Sequence, residues 1–466
     1  MKLKKLICVS LACMLSASML AGCNGNEAAN DGKVQLEVGN WPDGDVEKEN
    51  AAKYEAYKTD FENAYPDIKI KDGNSYGYDT TTFNVKASAG KLPNFLDTWF
   101  TEINKIADAG YACDISQALE KEGLIDIMNH DMLELLTDEN GRIYGIPKEA
   151  YAQGLFINKK LFAEAGLVNE DGTPKIPRTY TELAKYAKII KDKTGISGFA
   201  LPTTANAGGW HFMNIAWSFG VEFMEEQADG KYIATFDSPQ FKNALQYIYD
   251  LRWKYNVLPD NKVLDIAEHR KTFGTGQTAM MFGDPSIVND FVAKYGMNKD
   301  NIFLAKMPAG DEGRYSQMGG GVTIFTSKTT PEQAEAGLKW LKFIGRTPDI
   351  TPDVESRIRD EYQKTIDDGG VVFPKEFFSI WQSNEREKKI EEIAADYSNV
   401  NMADYEDYYN FQGVTIRPEE PVACQELYAV LDGVIQEILT NQNADIDALA
   451  SSANNDFQKN HLDKLD

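Results

Sequence analysis

Two tryptophans stand close to acidic residues directly after predicted β-strands. Trp41 and Asp43 follow the first predicted strand, and Trp99 and Phe100 follow the third. A flat ring can cover the C–H face of a polyhydroxylated molecule, and a carboxylate can accept hydrogen bonds from its hydroxyl groups. Because ligands of α/β proteins lie at the carboxyl ends of strands, we expect these side chains to contact a solute non-covalently. The alternatives are that Trp41 packs inside the fold and that Asp43 only stabilises a turn.

Four residues further along the chain have similar binding chemistry. Trp210 opens a predicted helix, Asp284 follows a predicted buried strand, and Trp381 comes shortly after two phenylalanines. The glycines at 319–321 indicate a turn that feeds a strand, and Gly320 would let backbone N–H groups approach a ligand. We expect all four residues to line a ligand cleft, with a plain turn as the alternative for the glycines.

No motif for covalent or metal catalysis stands out. The chain after the N-terminal segment contains no HExxH, Walker A, GxSxG or EF-hand pattern. The histidines are scattered without metal-ligand spacing, at His130, His211, His269 and His461. We therefore expect no catalytic metal and no cofactor. A glycoside hydrolase needs two carboxylates roughly 5–10 Å apart, and the 72 acidic residues leave that alternative open on composition.

Alternating strands and helices must position these residues. Strands are predicted at 34–38, 68–70 and 94–97, with helices at 47–65 and 80–89 between them. This spacing favours parallel strands joined by crossover helices.

Two later segments mark a crossing and a helix start. The segment 141–147 interrupts the strand–helix rhythm and predicts the first crossing between two lobes. At the start of a later helix, Thr179 is expected to cap the first turn and Glu182 to complete a capping box.

The N-terminus has the features of an export signal and a lipid anchor. A basic start precedes an apolar run from Leu6 to Leu20, which is short of the roughly 20 residues needed to span a bilayer. The run ends in Leu20-Ala21-Gly22-Cys23, which resembles a bacterial lipobox and implies removal of residues 1–22 and lipidation, including palmitate, at Cys23. The small polar residues 23–32 predict a flexible tether. The alternative is an ordinary signal peptide with an incidental cysteine.

The net charge limits the kinds of ligand that the protein can bind, and the cysteine content limits its possible disulfides. The formal net charge of −24 disfavours nucleic acid and anionic lipid headgroups and suits a neutral or cationic ligand. Beyond Cys23 only Cys113 and Cys424 remain. We place them in different lobes and expect two free thiols, because a disulfide between lobes would oppose their relative motion.

Several segments together resemble the extracellular solute-binding proteins of ATP-driven importers, the group that includes maltose-binding protein. None is specific alone, but their order and spacing make chance agreement improbable. The segments are the first strand and turn 36–41, the stretch Glu62-Asn63-Ala64-Tyr65-Pro66-Asp67-Ile68-Lys69-Ile70, the crossing 141–147 with 155–159, the helix 161–167, the cap 177–183 and the strand start 276–281.

The resemblance implies an α/β fold of two lobes, the type II periplasmic-binding-protein-like architecture, with a hinge and a ligand cleft at the interface. Residues 33–146 and 307–346 would form the first lobe, and residues 147–306 and 347–466 the second. Ligand contacts would follow the crossing segment, at Glu149 and Tyr151. Many relatives carry a tryptophan where this chain has Ser286, so the ligand's identity does not transfer.

These features predict an extracellular, lipid-anchored binding protein that captures a small solute, a sugar or oligosaccharide, for the permease subunits of an ABC transporter. It would act as a monomer and without catalysis, and only its lipid would touch the membrane. The alternatives are a secreted glycan-binding or glycan-hydrolysing lipoprotein, and an adhesion or assembly lipoprotein without a soluble ligand.

Overall fold

A computed structural model describes residues 32–71, 74–375 and 378–465. The predicted signal, Cys23 and nearly all of the predicted tether lie outside the described residues. The strands are β1 (Val34–Leu36), β2 (Ile68–Ile70), β3 (Phe95–Trp99), β4 (Gly145–Ala152), β5 (Gly154–Asn158), β6 (Met224–Glu226), β7 (Tyr232–Ala234), β8 (Met280–Gly283), β9 (Ile302–Lys306), β10 (Tyr315–Phe325) and β11 (Thr415–Arg417).

The helices lie between and after these strands. Within the described ranges none is both long and apolar enough to cross a membrane. The helices are α1 (Lys48–Ala64), α2 (Phe83–Ser88), α3 (Ile103–Asp108), α4 (Ser116–Lys121), α5 (His130–Leu136), α6 (Lys159–Glu164), α7 (Tyr180–Thr194), α8 (Ala207–Ser218), α9 (Pro239–Tyr249), α10 (Ile266–Gly274), α11 (Pro331–Phe343), α12 (Pro352–Asp367), α13 (Asn384–Ala395), α14 (Glu406–Tyr409), α15 (Cys424–Thr440) and α16 (Ile446–Asn460).

Side-chain caps fix the start of several helices. Thr179 Oγ1 accepts a hydrogen bond from Glu182 N at 3.1 Å at the start of α7, and Ser238 Oγ caps α9 in the same way at 3.2 Å. The Glu182 carboxylate accepts from Arg178 N at 2.7 Å rather than from Thr179 N. The cap by Thr179 is therefore as predicted. The return hydrogen bond of the capping box differs, because Glu182 reaches past the cap residue and accepts from the residue before it.

Of the parallel strand pairing predicted from the sequence, the structure shows it chiefly among the first strands of the chain. Strands β1 and β2 pair in parallel, and a parallel bridge joins Val38 to Phe95, as predicted. Beyond them, β3 and β4 pair antiparallel with β10, and β8 and β9 pair antiparallel with β5. Only β11 adds a further parallel pairing among the described strands, at the start of β10.

The glycines at 319–321 do not form the predicted turn, because they lie in the middle of the long strand β10. A Cβ atom on Gly320 would lie 2.4 Å from the Glu149 carbonyl oxygen and 2.9 Å from the Phe100 ring. The pairing of β10 with β4 also shifts register between Gly321 and Val322. The glycines thus permit close packing of strands at a bulge, which a local turn pattern cannot distinguish from a turn.

Buried apolar side chains form two large clusters, one in each lobe. The first cluster draws on residues 36–150 and 318–341 together with Trp381, and the second on residues 155–307 and 424–462. Strand β5 is buried on both faces, since Leu155 faces the second cluster and Phe156 a smaller third cluster. The chain passes between the two large clusters at β4–β5, at β9–β10 and a third time between Trp381 and Cys424, so the four strands form part of the connection between the lobes.

The two described cysteines are free thiols, as predicted. Cys113 is half-buried against the first cluster, with its Sγ 3.5 Å from the Thr329 carbonyl oxygen. Cys424 is buried in the second cluster. Each thiol thus behaves as a small apolar group within its own lobe.

Candidate functional site

A cavity of about 550 Å³ lies where the two large clusters meet. The connecting strands β4 and β10 supply Tyr151, Gly319 and Gly320, and the first lobe supplies Asp79 and Trp99. The second lobe supplies the remaining wall, including the following polar or aromatic residues: Asn206, Trp210, His211, Arg270, Asp284, Glu419, Gln425 and Tyr428. This volume is within the range of sites that enclose small molecules.

Five residues singled out from the sequence lie together in this wall, namely Trp99, Tyr151, Trp210, Asp284 and Gly320. Trp99 is 44% exposed, which is unusual for a ring of its size, and its free face borders the cavity. Tyr151 and Trp210 meet edge to face, with ring centroids 6.3 Å apart. The cavity therefore has aromatic walls from both lobes.

Trp41, Asp43 and Trp381 lie elsewhere. Trp41 is only 6% exposed, and its ring stacks on Trp340 with centroids 6.0 Å apart. Asp43 is exposed, and its side chain accepts a hydrogen bond from Asp45 N at 2.8 Å, which stabilises a turn.

The position of Trp381 differs from expectation because its ring is buried in the first cluster. Its backbone forms a bridge to Met128, which belongs to the first lobe. The ring does not pack with the second lobe, where residues 347–466 were expected to lie.

Phe100 and Glu149 border neighbouring cavities. Phe100 lines a cavity of about 410 Å³ that shares Glu419 with the central one. Glu149 lines a cavity of about 350 Å³ beside β4, and its carboxylate lies 3.7 Å from Lys148 Nζ. These two residues thus flank the central cavity without lining it.

The start of α8 positions Trp210 through an uncommon backbone conformation. Ala205 and Asn206 have left-handed φ angles of 57° and 67°, which cost about 1 kcal/mol or more at non-glycine residues. The buried Asp432 carboxylate offsets this cost, because it accepts hydrogen bonds from Asn206 N and Gly209 N, each at 2.7 Å. Backbone strain of this kind is common at ligand sites.

Gly319 makes room for both rings of the β4–α8 wall. A Cβ atom there would lie 2.5 Å from the Tyr151 ring and 2.9 Å from the Trp210 ring. The role of this glycine is therefore to admit side chains, whereas the sequence suggested backbone contact with a ligand.

Glu419 and Tyr428 are functional candidates that the sequence did not reveal. The Tyr428 hydroxyl donates a hydrogen bond to Glu419 Oε1 at 2.8 Å. Burial raises the pKa of Glu419 to about 7 and also raises the pKa of Asp284. The feature of the sequence that could have indicated Glu419 is its position in a short loop between Pro418 and Pro421.

His211 lines the cavity but has a structural partner. Its Nδ1 lies 2.8 Å from the Ala207 carbonyl oxygen, and burial lowers its pKa to about 4. The imidazole is therefore neutral at physiological pH and adds no positive charge to the wall.

Glu419→Gln should stabilise the protein at high pH. In the unfolded chain a glutamate has a pKa near 4.3, so the raised folded-state pKa favours folding only while the carboxyl holds its proton. That stability is full below about pH 4.3 and is lost as pH rises through about 7. Because the side chain is half-buried, we expect a gain of about 1–2 kcal/mol at pH 8 and less at pH 5.

Urea unfolding at both pH values measures this gain. Glu164→Gln, on the exposed surface of α6, is the control and should change neither value, since its carboxylate is 4.0 Å from Lys160 in a surface pair. An equal effect of Glu419→Gln at the two pH values would contradict a titrating Glu419.

A two-lobed α/β fold with a solute-sized cleft at the lobe junction defines a class of proteins that bind small molecules by closure. The model of the bacterial extracellular solute-binding protein family matches residues 44–348. The chain therefore belongs to this family.

Individual relatives agree with this assignment. The YcjN protein of Escherichia coli (strain K12), whose name describes an ABC transporter periplasmic-binding protein, is 25% identical over 73% of this chain and 75% of its own length. The multiple sugar-binding protein of Streptococcus mutans is 26% identical over 53% of this chain and 55% of its own length.

Among solved structures, maltose-bound MalE3 of T. maritima superposes with a TM-score of 0.65 at 22% identity, covering 91% of this chain and 99% of that one. At this identity the similarity demonstrates the two-lobed fold and not the ligand.

Proposed function

We propose that this protein captures a carbohydrate outside the cell and delivers it to an ABC transporter. The observation that carries the proposal is the cavity between the lobes, which has rings from Trp99, Tyr151 and Trp210 together with amide and carboxylate groups. Rings of this kind stack on the apolar faces of sugars, and the polar groups pair with hydroxyls. One relative is a multiple sugar-binding protein, and one solved structure of the same fold contains maltose, which supports the same class of ligand.

The capture step in this proposal is closure of the two lobes. We assign residues 33–146 and 307–346 to the first lobe and residues 147–306 and 347–466 to the second. The exceptions are the segment around Trp381 and helix α12, which contacts α1 of the first lobe through the pairs Glu361–Lys53 and Lys364–Glu49. Lobe motion would pivot where β4 meets β5 and β9 leads to β10, so a ligand touching Trp99 and Trp210 contacts both lobes. A ligand that binds both lobes favours the closed form by its differential affinity, and no bond is made or broken.

Anchoring is a separate part of the proposal and rests on Leu20-Ala21-Gly22-Cys23. Cys23→Ala should remove the thiol that accepts the lipid, so the protein should leave the membrane fraction or remain unprocessed. Fractionation with labelled fatty acid measures this change. Normal labelling and membrane retention of the variant would contradict lipid attachment at Cys23.

A panel of mono- and oligosaccharides tests the function by thermal melting and calorimetry. A bound sugar at 100 times its Kd should add about 2.7 kcal/mol of stability. For the sugar that binds, Trp210→Ala should weaken affinity by about 2 kcal/mol, roughly 30-fold, because the stacking contact between this half-buried ring and the sugar is lost.

The matched control for this variant is Trp210→Phe, which keeps an aromatic face and should retain most of the affinity. Wild-type affinity in Trp210→Ala, or the absence of a melting shift with every sugar, would overturn the proposal. Release of reducing ends from the same sugars would contradict the proposed lack of catalysis.

A further inference from the structure

A buried glutamine lies where the connecting strands of the two lobes meet. Gln317 is the third residue of β10 and has no exposed surface. Its carbonyl oxygen accepts a hydrogen bond from Gln153 N at 3.1 Å, and Gln153 is the residue that joins β4 to β5. Its backbone N–H donates to Asn214 Oδ1 on α8 at 2.8 Å. The backbone of Gln317 is therefore fixed at the point where we place the pivot between the lobes.

The side chain of Gln317 reaches from this point into the wall of the central cavity. Its Oε1 accepts a hydrogen bond from the indole Nε1 of Trp210 at 3.2 Å, and its Nε2 donates to the Trp210 carbonyl oxygen. The hydroxyl oxygen of Tyr428 lies 2.8 Å from the same Oε1. Trp210 and Tyr428 both line the cavity, so one amide contacts two residues of its wall, one on α8 and one on α15.

The two contacts with Trp210 favour this orientation of the amide. The opposite orientation would bring Oε1 against the Trp210 carbonyl oxygen and Nε2 against the indole N–H, which sets acceptor against acceptor and donor against donor. The Tyr428 hydroxyl has one proton. It donates to Gln317 when the Glu419 carboxyl is protonated and itself donates to Tyr428, and it donates to Glu419 when that carboxyl is ionised. The two bonds to Trp210 do not use that proton.

Packing alone does not require an amide at this position. An apolar side chain of the same length would fill the same space, and it would avoid the cost of burying polar atoms that must each find a partner. Two residues further along β10, Gly319 makes room for the Trp210 ring. The strand therefore admits the ring at Gly319 and bonds its N–H at Gln317, and the two features together select one orientation of the indole.

We propose that Gln317 is a positioning residue for ligand binding, because its amide fixes the Trp210 ring and attaches it to the strand about which the lobes turn. This inference rests on the proposed function, since it takes Trp210 as a ring that contacts the ligand. A ring held at the pivot keeps its place in the wall while the first lobe, with Trp99, approaches it. The ligand then does not have to order the indole when it binds, which removes an entropy cost.

The indole N–H signals of protein labelled with ¹⁵N-tryptophan test the position of the ring without any ligand. The chain has 7 tryptophans, and the signal that disappears in Trp210→Phe is that of Trp210. At pH 6, Gln317→Met should change the chemical shift of this signal and speed its exchange with solvent about tenfold, because methionine fills the space but is only a weak acceptor. Gln246→Met, the same change at an exposed site on α9, is the control and should leave the signal unchanged.

Gln317→Glu tests which bonds hold the ring. At pH 5 a buried, protonated carboxyl can accept from the indole N–H and donate to the Trp210 carbonyl oxygen, so this variant should keep the wild-type signal. At pH 8 the ionised carboxylate cannot donate, and the signal should change relative to the wild type at the same pH. If Gln317→Met does not fold, this comparison decides the question. A changed signal at pH 5 would contradict the proposed pair of bonds.

Calorimetry with glucose, maltose and chitobiose measures the consequence for binding. For each of these sugars that binds, Gln317→Met should weaken affinity about tenfold in the wild-type background and less than about twofold in Trp210→Ala, where the ring is already absent. A residue that only stabilised the fold would cause equal losses of affinity in the two backgrounds.

The outcomes separate the positioning role from the proposed function. An unchanged Trp210 signal in folded Gln317→Met would overturn the positioning role, and so would equal losses of affinity in the two backgrounds. If none of the three sugars binds, the result counts against carbohydrate capture, and the indole signals alone decide whether Gln317 holds the ring.

Discussion

Trp41→Ala should destabilise the protein by about 3–5 kcal/mol, the range for removing a buried large aromatic side chain. The ring stacks on Trp340 and meets Tyr54 edge to face at 5.2 Å, inside the first cluster. Its loss leaves a cavity that neighbouring rings cannot fill without moving. Because Trp41 does not line the central cavity, the ligand affinity of the folded variant should remain that of the wild type. Urea unfolding and calorimetry measure the two effects separately.

Trp99→Ala is the matched comparison, and we expect it to change ligand affinity more than stability. Nearly half of the Trp99 side chain is exposed beside the cavity, so its removal should weaken ligand binding and lower stability only slightly. A stable Trp41→Ala variant that loses ligand affinity would place Trp41 in the binding site and contradict the packing described above.

Gly209→Ala should destabilise the protein by about 3 kcal/mol through overpacking between α8 and α15. A Cβ atom at this position would lie 2.5 Å from the Cα and carbonyl oxygen of Tyr428. These are backbone atoms, so no rotamer change can relieve the clash and the helices must separate. Since α8 also carries Trp210 and α15 carries Tyr428, we expect ligand affinity to fall as well. Thermal melting and calorimetry of the variant measure both losses.

The matched control is Gly433→Ala on α15. A Cβ atom there meets nothing within 4 Å, and alanine is favoured over glycine in a helix by roughly 0.5–1 kcal/mol. This variant should therefore be slightly more stable than the wild type. A gain of stability in Gly209→Ala similar to that in Gly433→Ala would show that helix propensity outweighs the α8–α15 contact, and it would contradict the predicted clash at Gly209.

The sequence was informative where a local pattern determines position. The rule that ligands of α/β folds lie at strand ends indicated Trp99 and Asp284, and both residues line the cavity. Trp41 satisfied the same rule, but its ring lies in the core. Whether a ring after a strand faces a cleft or the adjacent helices depends on long-range packing, which the local pattern does not contain.

Residues that reach the site from distant parts of the chain could not be predicted in this way. Glu419 and Tyr428 belong to the C-terminal region, and Asp79 to the N-terminal region, yet all three line one cavity. No spacing or motif links them in the sequence. The turn predicted at glycines 319–321 was wrong for a related reason. The role of these glycines depends on Tyr151 and Phe100, which approach from other segments.

The pairing of β10 has a consequence for the timing of folding during synthesis. Strands β3 and β4 end at Trp99 and Ala152, but the partner of both begins only at Tyr315. At about 5–20 residues per second, the ribosome needs on the order of ten seconds or more to make the intervening chain. Throughout that interval the N-terminal region lacks its central strand, so the nascent polypeptide should remain open to chaperones and to a secretion channel that threads unfolded chains.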